Sequence, residues 1–413
     1  MFKPYLAVVK NINFRRLWLA QITSQIALNM LIFVLAIKVY QETRSNTAVS
    51  LMLLSFGIPS IIFGIIAGGL VDFFDKRKVL LFCNAVRTAL LLAFFLFQSN
   101  LVALYVLIII TSILTQFFIP SEAPSIPQLV DPSEILTANS LFAISFYLST
   151  ITGFVISGPM IKIVGHTNVY LIMVVLMSLA TYFVFRLPPI AQKKGHIDLG
   201  TDLSFIGKII EDGLLFIKSN ERIEQSLILM TFSQALIATL AVLAPGFADR
   251  VLHIVLTDAS FLVMGPAALG LIFGAILVGG YGNKFLKGSI ILVGITIAGF
   301  TLLFLSFIPI VSQFGNSLYL ALILLFLLGV SNSFISVPAN TILQQDSKSD
   351  MRGRVYGVLT SATGGVSLLP VLFSGVLADA VGVDHTLSVI GCVILIVSIY
   401  HFLQKRKVNN NIK

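Results

Sequence analysis

Residues 17–40 read LWLAQITSQIALNMLIFVLAIKVY, an apolar run whose one charge, Lys38, sits near its end. A hydrocarbon core about 30 Å thick is crossed by about 20 apolar residues of α-helix. The run is long enough to span it. Backbone groups in lipid find partners only inside a helix or a closed barrel, and barrel strands alternate polar and apolar over about ten residues. A continuous run of this length is therefore a helix. Eleven further stretches share its character: 49–71, 79–97, 101–118, 141–164, 169–185, 227–247, 261–281, 290–310, 318–337, 355–380 and 387–402. The expected fold is an all-α integral membrane protein with twelve transmembrane helices and no soluble domain.

Composition supports this reading. Of 413 residues, 57% are hydrophobic and 11% charged, where a soluble domain carries roughly 25% charged residues. The net charge of +9 would suggest nucleic acid in a soluble protein, but its placement argues otherwise. With the N-terminus inside, Lys38, Arg44, Lys162 and Arg250 fall outside and the other 23 of the 27 lysines and arginines fall on the cytoplasmic side. Positive loops stay inside, so both termini are expected in the cytoplasm of a bacterial cell, in its inner membrane. The opening MFKPYLAVVKNINFRRLWLA has no small-residue cleavage site after its apolar run and reads as a retained span. Cys83 and Cys392 lie far apart in apolar runs and are expected to be buried. The histidines (His166, His196, His253, His385 and His401) show no metal-ligand spacing, and no metal or cofactor is expected.

The longest connection, between spans six and seven, carries the amphipathic stretch FIGKIIEDGLLFIKSNERI from Phe205, expected to lie on the inner membrane surface. It divides the chain into a six-helix half at 1–188, a linker at 189–225 and a second half at 226–413. Three weak matches suggest that the halves repeat. Ser24-Gln25 faces Ser233-Gln234, Gly68-Gly69 faces Gly279-Gly280, and Pro127–Asn139 faces Gln344–Tyr356, in the same order. Such repeats are the layout of a transporter class whose site lies between two halves.

After span two the chain reads GGLVDFFDKRKVLL. Gly68, Leu70, Asp72, Lys76 and Arg77 match the pattern G-x-L-A-D-R-x-G-R-K, while Phe73 and Asp75 depart from it. In the second half, SVPANTILQQDSKSDMRGRVYGV places Asp350, Arg352, Gly353 and Arg354 between spans ten and eleven. With FRRLWLAQITSQIAL and FFIPSEAPSIPQLVDPSEILTANSL, these stretches resemble the major facilitator superfamily, in its macrolide, siderophore and multidrug efflux-like branch. The resemblance implies two six-helix pseudo-repeats and cytoplasmic gating motifs at Gly68, Asp72, Lys76, Arg77, Asp350, Arg352, Gly353 and Arg354. A basic loop kept inside by topology alone also accounts for Lys76–Lys78. The chain departs from drug antiporters in span five, where Met160, Ile161 and Lys162 follow Gly158-Pro159, and in span four, where the arginine frequent in proton antiporters has no counterpart and Gln116 is the nearest polar residue.

Polar residues inside a membrane are expensive and usually face the protein interior. Gln21, Gln25 and Asn29 recur every four residues, drift about 40° per step and share one helix face. With Gln116, Gln234 and Asn332 they are the expected lining of a substrate cavity, on the four helices that line it in the superfamily. The competing reading is hydrogen bonding between helices, worth about 0.6 kcal/mol each. Glu122, following a long apolar run, is the candidate for proton coupling, with Arg87 as its partner; an interfacial salt bridge is the alternative. Asp249, followed directly by Arg250, reads as a surface pair.

The leading function is a secondary transporter that works by alternating access and exports an amphiphilic compound, without enzymatic activity. It is expected to act as a monomer on a small-molecule substrate, with protons as coupling ion and the lipid bilayer as solvent. An importer or facilitator of one metabolite is the alternative. A membrane-embedded enzyme would need clustered His, Asp or Cys, and a sensor would usually add a soluble domain. No nucleotide-binding loop is present for a primary pump.

Overall fold

The computed structural model describes residues 3–71, 74–190, 215–281, 285–312, 317–346 and 368–410. Among them the secondary structure is helical, with no strand. After a short α1 (Lys3–Lys10) come α2 (Ile12–Thr43), α3 (Asn46–Val71), α4 (Lys76–Leu96), α5 (Leu101–Glu122) and α6 (Ile135–Phe185). Then follow α7 (Glu221–Arg250), α8 (Met264–Tyr281), α9 (Lys287–Ser306), α10 (Ser317–Asp346), α11 (Leu368–Val381) and α12 (Val383–Asn410). Nine of the described helices are long and apolar enough to cross a bilayer, and two shorter apolar helices cover Leu368–Val381 and Val383–Ile399. The 51-residue α6 is two helices joined at Gly165, whose φ of 86° is a left-handed conformation that glycine adopts without strain. That break falls where two of the predicted spans meet.

Local chemistry sets several boundaries. Asn100 caps α5 by accepting from Ala103 N, and Asn220 caps α7 by accepting from Ile223 N. Each supplies a partner for an N–H group that a helix start leaves unpaired.

The chain packs as two compact units. The first holds Met1–Lys38 and Met52–Lys208, and the second holds Val39–Leu51 and Ile209–Lys413. In the first, α4 packs on α5 and α6. There α2 lies against α6, with Phe14 edge-on to Phe142 and Phe33 edge-on to Phe154. In the second, α10 packs on α7, α8 and α9, while α12 lies on α9 and α11. Small residues let these helices approach closely. A methyl group added at Gly270 or Gly329 would run into the carbonyl of Phe326 or Ala267, so α8 and α10 meet backbone to backbone.

Burial differs between helices. The apolar window of α2 is 61% buried within the protein, while that of the α8 region is 17% buried. Large apolar side chains such as Ile62, Val102, Phe273 and Ile396 stand exposed. In water such a surface would aggregate; in a bilayer it is the lipid face.

Two expectations change here. Cys83 is buried but Cys392 is exposed, on the outward side of its helix. Residues 205–214 of the amphipathic stretch lie outside the described residues. Beyond them Ile217 is buried against Ile223 and Leu343, so this end of the connection packs onto α7 and α10.

Candidate functional site

The shared face of α2 divides into two environments. Gln21 is 3% exposed and committed to α6: its Nε2 donates to Phe142 O at 3.3 Å, and its Oε1 accepts from Ser145 Oγ at 3.1 Å. The Trp18 indole donates to the same hydroxyl at 2.8 Å. One and two turns on, Asn29 Nδ2 donates to Gln25 O at 2.8 Å and approaches Gln25 Oε1 at 3.5 Å. Gln25 is partly exposed, and Asn29 lies under Gly153 of α6, where a Cβ would stand 2.7 Å from Asn29 Cβ. The glycine thus makes room for the amide. Gln116 on α5 is partly exposed, with Nε2 donating to Ser112 O at 3.3 Å, and its Oε1 lies beside Gly64 of α3.

In the second unit Asn332 is 4% exposed and donates through Nδ2 to Ser233 O at 3.1 Å, binding α10 to α7. The next residue, Gln234, is exposed. Asn332 and Gln234 thus stand on neighbouring helices, one as a tie and one with a free surface.

Ionisable groups inside the first unit centre on Arg87. It is 1% exposed, its Nη1 donates to Asn84 Oδ1 at 3.4 Å, and its Cζ stands 4.6 Å from the centre of the Phe118 ring. Glu122, one turn beyond Phe118 on α5, is 9% exposed and acts electrostatically on Arg87. Arg87 Nε and Nη2, Asn84 Nδ2 and Glu122 Oε1 are buried without hydrogen-bond partners. Two buried ionisable groups of opposite sign thus act on each other across α4 and α5 while several of their polar atoms lack hydrogen-bond partners.

Near the basic loop, Asp75 caps α4 by accepting from Arg77 N at 2.9 Å, and the same oxygen accepts from Ile190 N at 3.3 Å. Arg77 Nη2 donates to Phe185 O at 2.6 Å, and Arg16 Nη1 donates to Arg186 O at 2.7 Å. Two cations therefore satisfy carbonyls at the C-terminus of α6, where the helix dipole is negative. Lys76 is 5% exposed at the start of α4. Gly68 lies in the last turn of α3. Asp72, Asp350, Arg352, Gly353 and Arg354 lie outside the described residues. Asp75, which departs from the sequence pattern, links the start of α4 to Ile190, just past the end of α6. An acidic residue one position before a helix start was the available signal.

The sequence reading missed a second polar cluster, at the opposite end of α3. Asp249 pairs with Arg44 Nη1 at 2.9 Å, not with the adjacent Arg250, whose Nη2 donates to Arg44 O at 2.8 Å. Tyr40 OH also reaches Asp249, at 3.4 Å. Asp379 of α11 accepts from Ser45, Asn46 and Thr47. No sequence spacing links positions more than 200 residues apart. Among the described residues, no group of His, Cys, Asp and Glu is arranged to hold a metal ion.

The family profile described as "Major Facilitator Superfamily" matches residues 17–370. The chain is 26% identical to the uncharacterized MFS-type transporter YfiS of Bacillus subtilis, over 90% of this chain and 88% of that one. It is 23% identical to Macrolide efflux protein A of Streptococcus pyogenes, over 94% and 95% of the two chains. The crystal structure of the nucleoside transporter NupG superposes with a TM-score of 0.73 at 12% identity, covering 94% of this chain and 98% of that one. This last likeness is one of fold.

Proposed function

This chain belongs to the Major Facilitator Superfamily and is a multi-pass membrane transporter, and on that premise we propose that it exports an amphiphilic organic compound by alternating access, driven by protons. The observation that carries this reading is the face of α2, where the partly exposed Gln25, bonded to Asn29, sets uncharged amides within an apolar stretch of the helix. Amides without a fixed charge suit a bulky, weakly polar ligand held by apolar contact and oriented by a few hydrogen bonds. A sugar would call for a denser set of hydrogen-bond donors. Full-length similarity to a macrolide efflux protein supports the same substrate class.

Glu122 is the proton carrier. Its carboxylate is buried beside Arg87, and a buried charge is kept only while it is compensated. Protonation removes the attraction between α5 and α4 at that point, and deprotonation restores it. The lysine and arginine distribution supports cytoplasmic termini with the basic loop at the inner surface, and action as a monomer is part of the same proposal.

Accumulation of macrolides and lipophilic dyes in cells overexpressing the protein tests this, with and without a protonophore. Lowered accumulation that the protonophore abolishes is expected. Glu122→Gln, present in the membrane at equal level, is expected to lose it. Unchanged accumulation of every compound would overturn the efflux reading, and protonophore-insensitive export would overturn proton coupling.

A further inference from the structure

Asp379 lies in the last turn of α11, a helix end where the backbone dipole is negative and an acidic side chain is unfavourable. Its own helix gains nothing from it. Its contacts lie instead at the start of α3. Oδ2 accepts from Ser45 Oγ at 2.5 Å and from Thr47 N at 2.8 Å, while Oδ1 accepts from Asn46 N at 2.8 Å and Asn46 Nδ2 at 3.1 Å. One carboxylate thus caps the positive end of a helix 333 residues away.

The surrounding contacts build a seam around that cap. Arg44 is held by Asp249, and its carbonyl is held by Arg250. Ser50, fully buried, donates to Val371 O at 3.0 Å. Glycines let the segment sit this close: a Cβ at Gly246 would stand 2.5 Å from Asn46 Oδ1, and one at Gly375 would overlap Ser50 Oγ. Arg44 itself takes a positive φ of 53°, so the turn between α2 and α3 is bent to suit the seam. Residues 39–51 pack with the second unit, yet they are continuous with the parts of α2 and α3 that pack with the first. A transporter that changes conformation must either keep this segment on α7 and α11 or release it.

We propose that Asp379 is a conformational latch, with Asp249 as its auxiliary: its carboxylate holds the start of α3 on α11 in the present state and lets it go when the transporter switches. The second state is part of the alternating-access reading, and the latch rests on it. The device suits a switch because it is made of hydrogen bonds at an exposed helix end, which water can replace, and not of a packed apolar core. Behind it Asn46, Val49 and Ser50 are fully shielded.

The test uses the full-length protein in lipid nanodiscs, both faces open to solvent, without substrate. In a Cys83→Ala, Cys392→Ala background, Val49→Cys places one thiol at a fully buried position of the seam. Its rate of reaction with a membrane-impermeant maleimide is measured. Asp379→Asn keeps the side-chain size but replaces an acceptor by a donor facing Ser45 and Thr47 or Asn46, and labelling is expected to quicken by about tenfold, the worth of one charge-assisted bond. Asn46→Pro removes two of the four donors and suits the first position of a helix, so it should quicken labelling without touching Asp379. If Asp379→Asn does not reach the membrane, Asn46→Pro decides alone. Unchanged labelling in folded variants overturns the latch. Because no substrate is involved, quicker labelling in a protein that fails the accumulation assay would sustain the latch and sink only the export reading.

Discussion

Gly153→Ala provides a quantitative test of how α6 seats Asn29. A methyl group at position 153 would stand 2.7 Å from Asn29 Cβ, 2.9 Å from Ile26 O and 3.2 Å from Met30 N. Ordinary contact begins at 3.4 Å, so the shortfall is 3.4 − 2.7 = 0.7 Å. Two of the three neighbours are backbone atoms of α2, which no rotamer change moves. The helices must part instead, and overpacking of this kind costs about 1–3 kcal/mol. Because the backbone cannot yield locally, the upper part of that range, about 2–3 kcal/mol, applies. Alanine recovers up to about 1 kcal/mol of helix propensity, leaving a net loss of about 1–2 kcal/mol. Gly279→Ala isolates the propensity term, since nothing lies within 4 Å of its added methyl. Unfolding of both variants in mixed micelles by denaturing detergent should separate them by about 2–3 kcal/mol, the overpacking term alone. Gly153→Ala should also weaken export, because parting α2 from α6 shifts the Gln25–Asn29 amide pair. Equal stability of the two variants would refute the account of the α2–α6 contact.

Two further outcomes follow from the same structure. Arg87→Met and Glu122→Gln each leave an uncompensated buried charge and should each lower stability by about 3 kcal/mol, while the double variant should recover most of that loss; losses that simply add would show that the two charges do not interact. Thiols introduced at exposed positions on opposite ends of α4, Lys78→Cys and Ser99→Cys, should react with an impermeant maleimide in intact cells only at position 99, and labelling at position 78 instead would reverse the orientation read from the basic residues.

The family was legible in the chain through the resemblance of stretches such as GGLVDFFDKRKVLL and MRGRVYGV. The helical class was legible because a bilayer imposes a length scale of its own, about 20 apolar residues per crossing, recognisable without knowing any contact. The polar residues of α2 were legible for the same reason, since an amide stands out in an apolar run. Their fates were not. Gln21, Gln25 and Asn29 share a face by helical periodicity, yet Gln21 is sealed by Ser145 and Phe142 while Gln25 keeps an open surface. That division depends on which residues of α6 lie opposite, and those stand over 100 positions away.

The charged residues show the same division more sharply. The sequence by itself gives the expectation that Lys76–Lys78 and Arg15–Arg16 share one side of the membrane, because charge placement follows insertion. Only the tertiary structure decided that Arg16 and Arg77 would close the end of α6, that Asp249 would choose Arg44 over its neighbour Arg250, and that Asp379 would cap α3. A span is a property of one segment and its solvent, so composition and periodicity reveal it. A cap supplied from another helix requires two distant segments to meet at one distance and angle, and that geometry comes from how the helices between them pack.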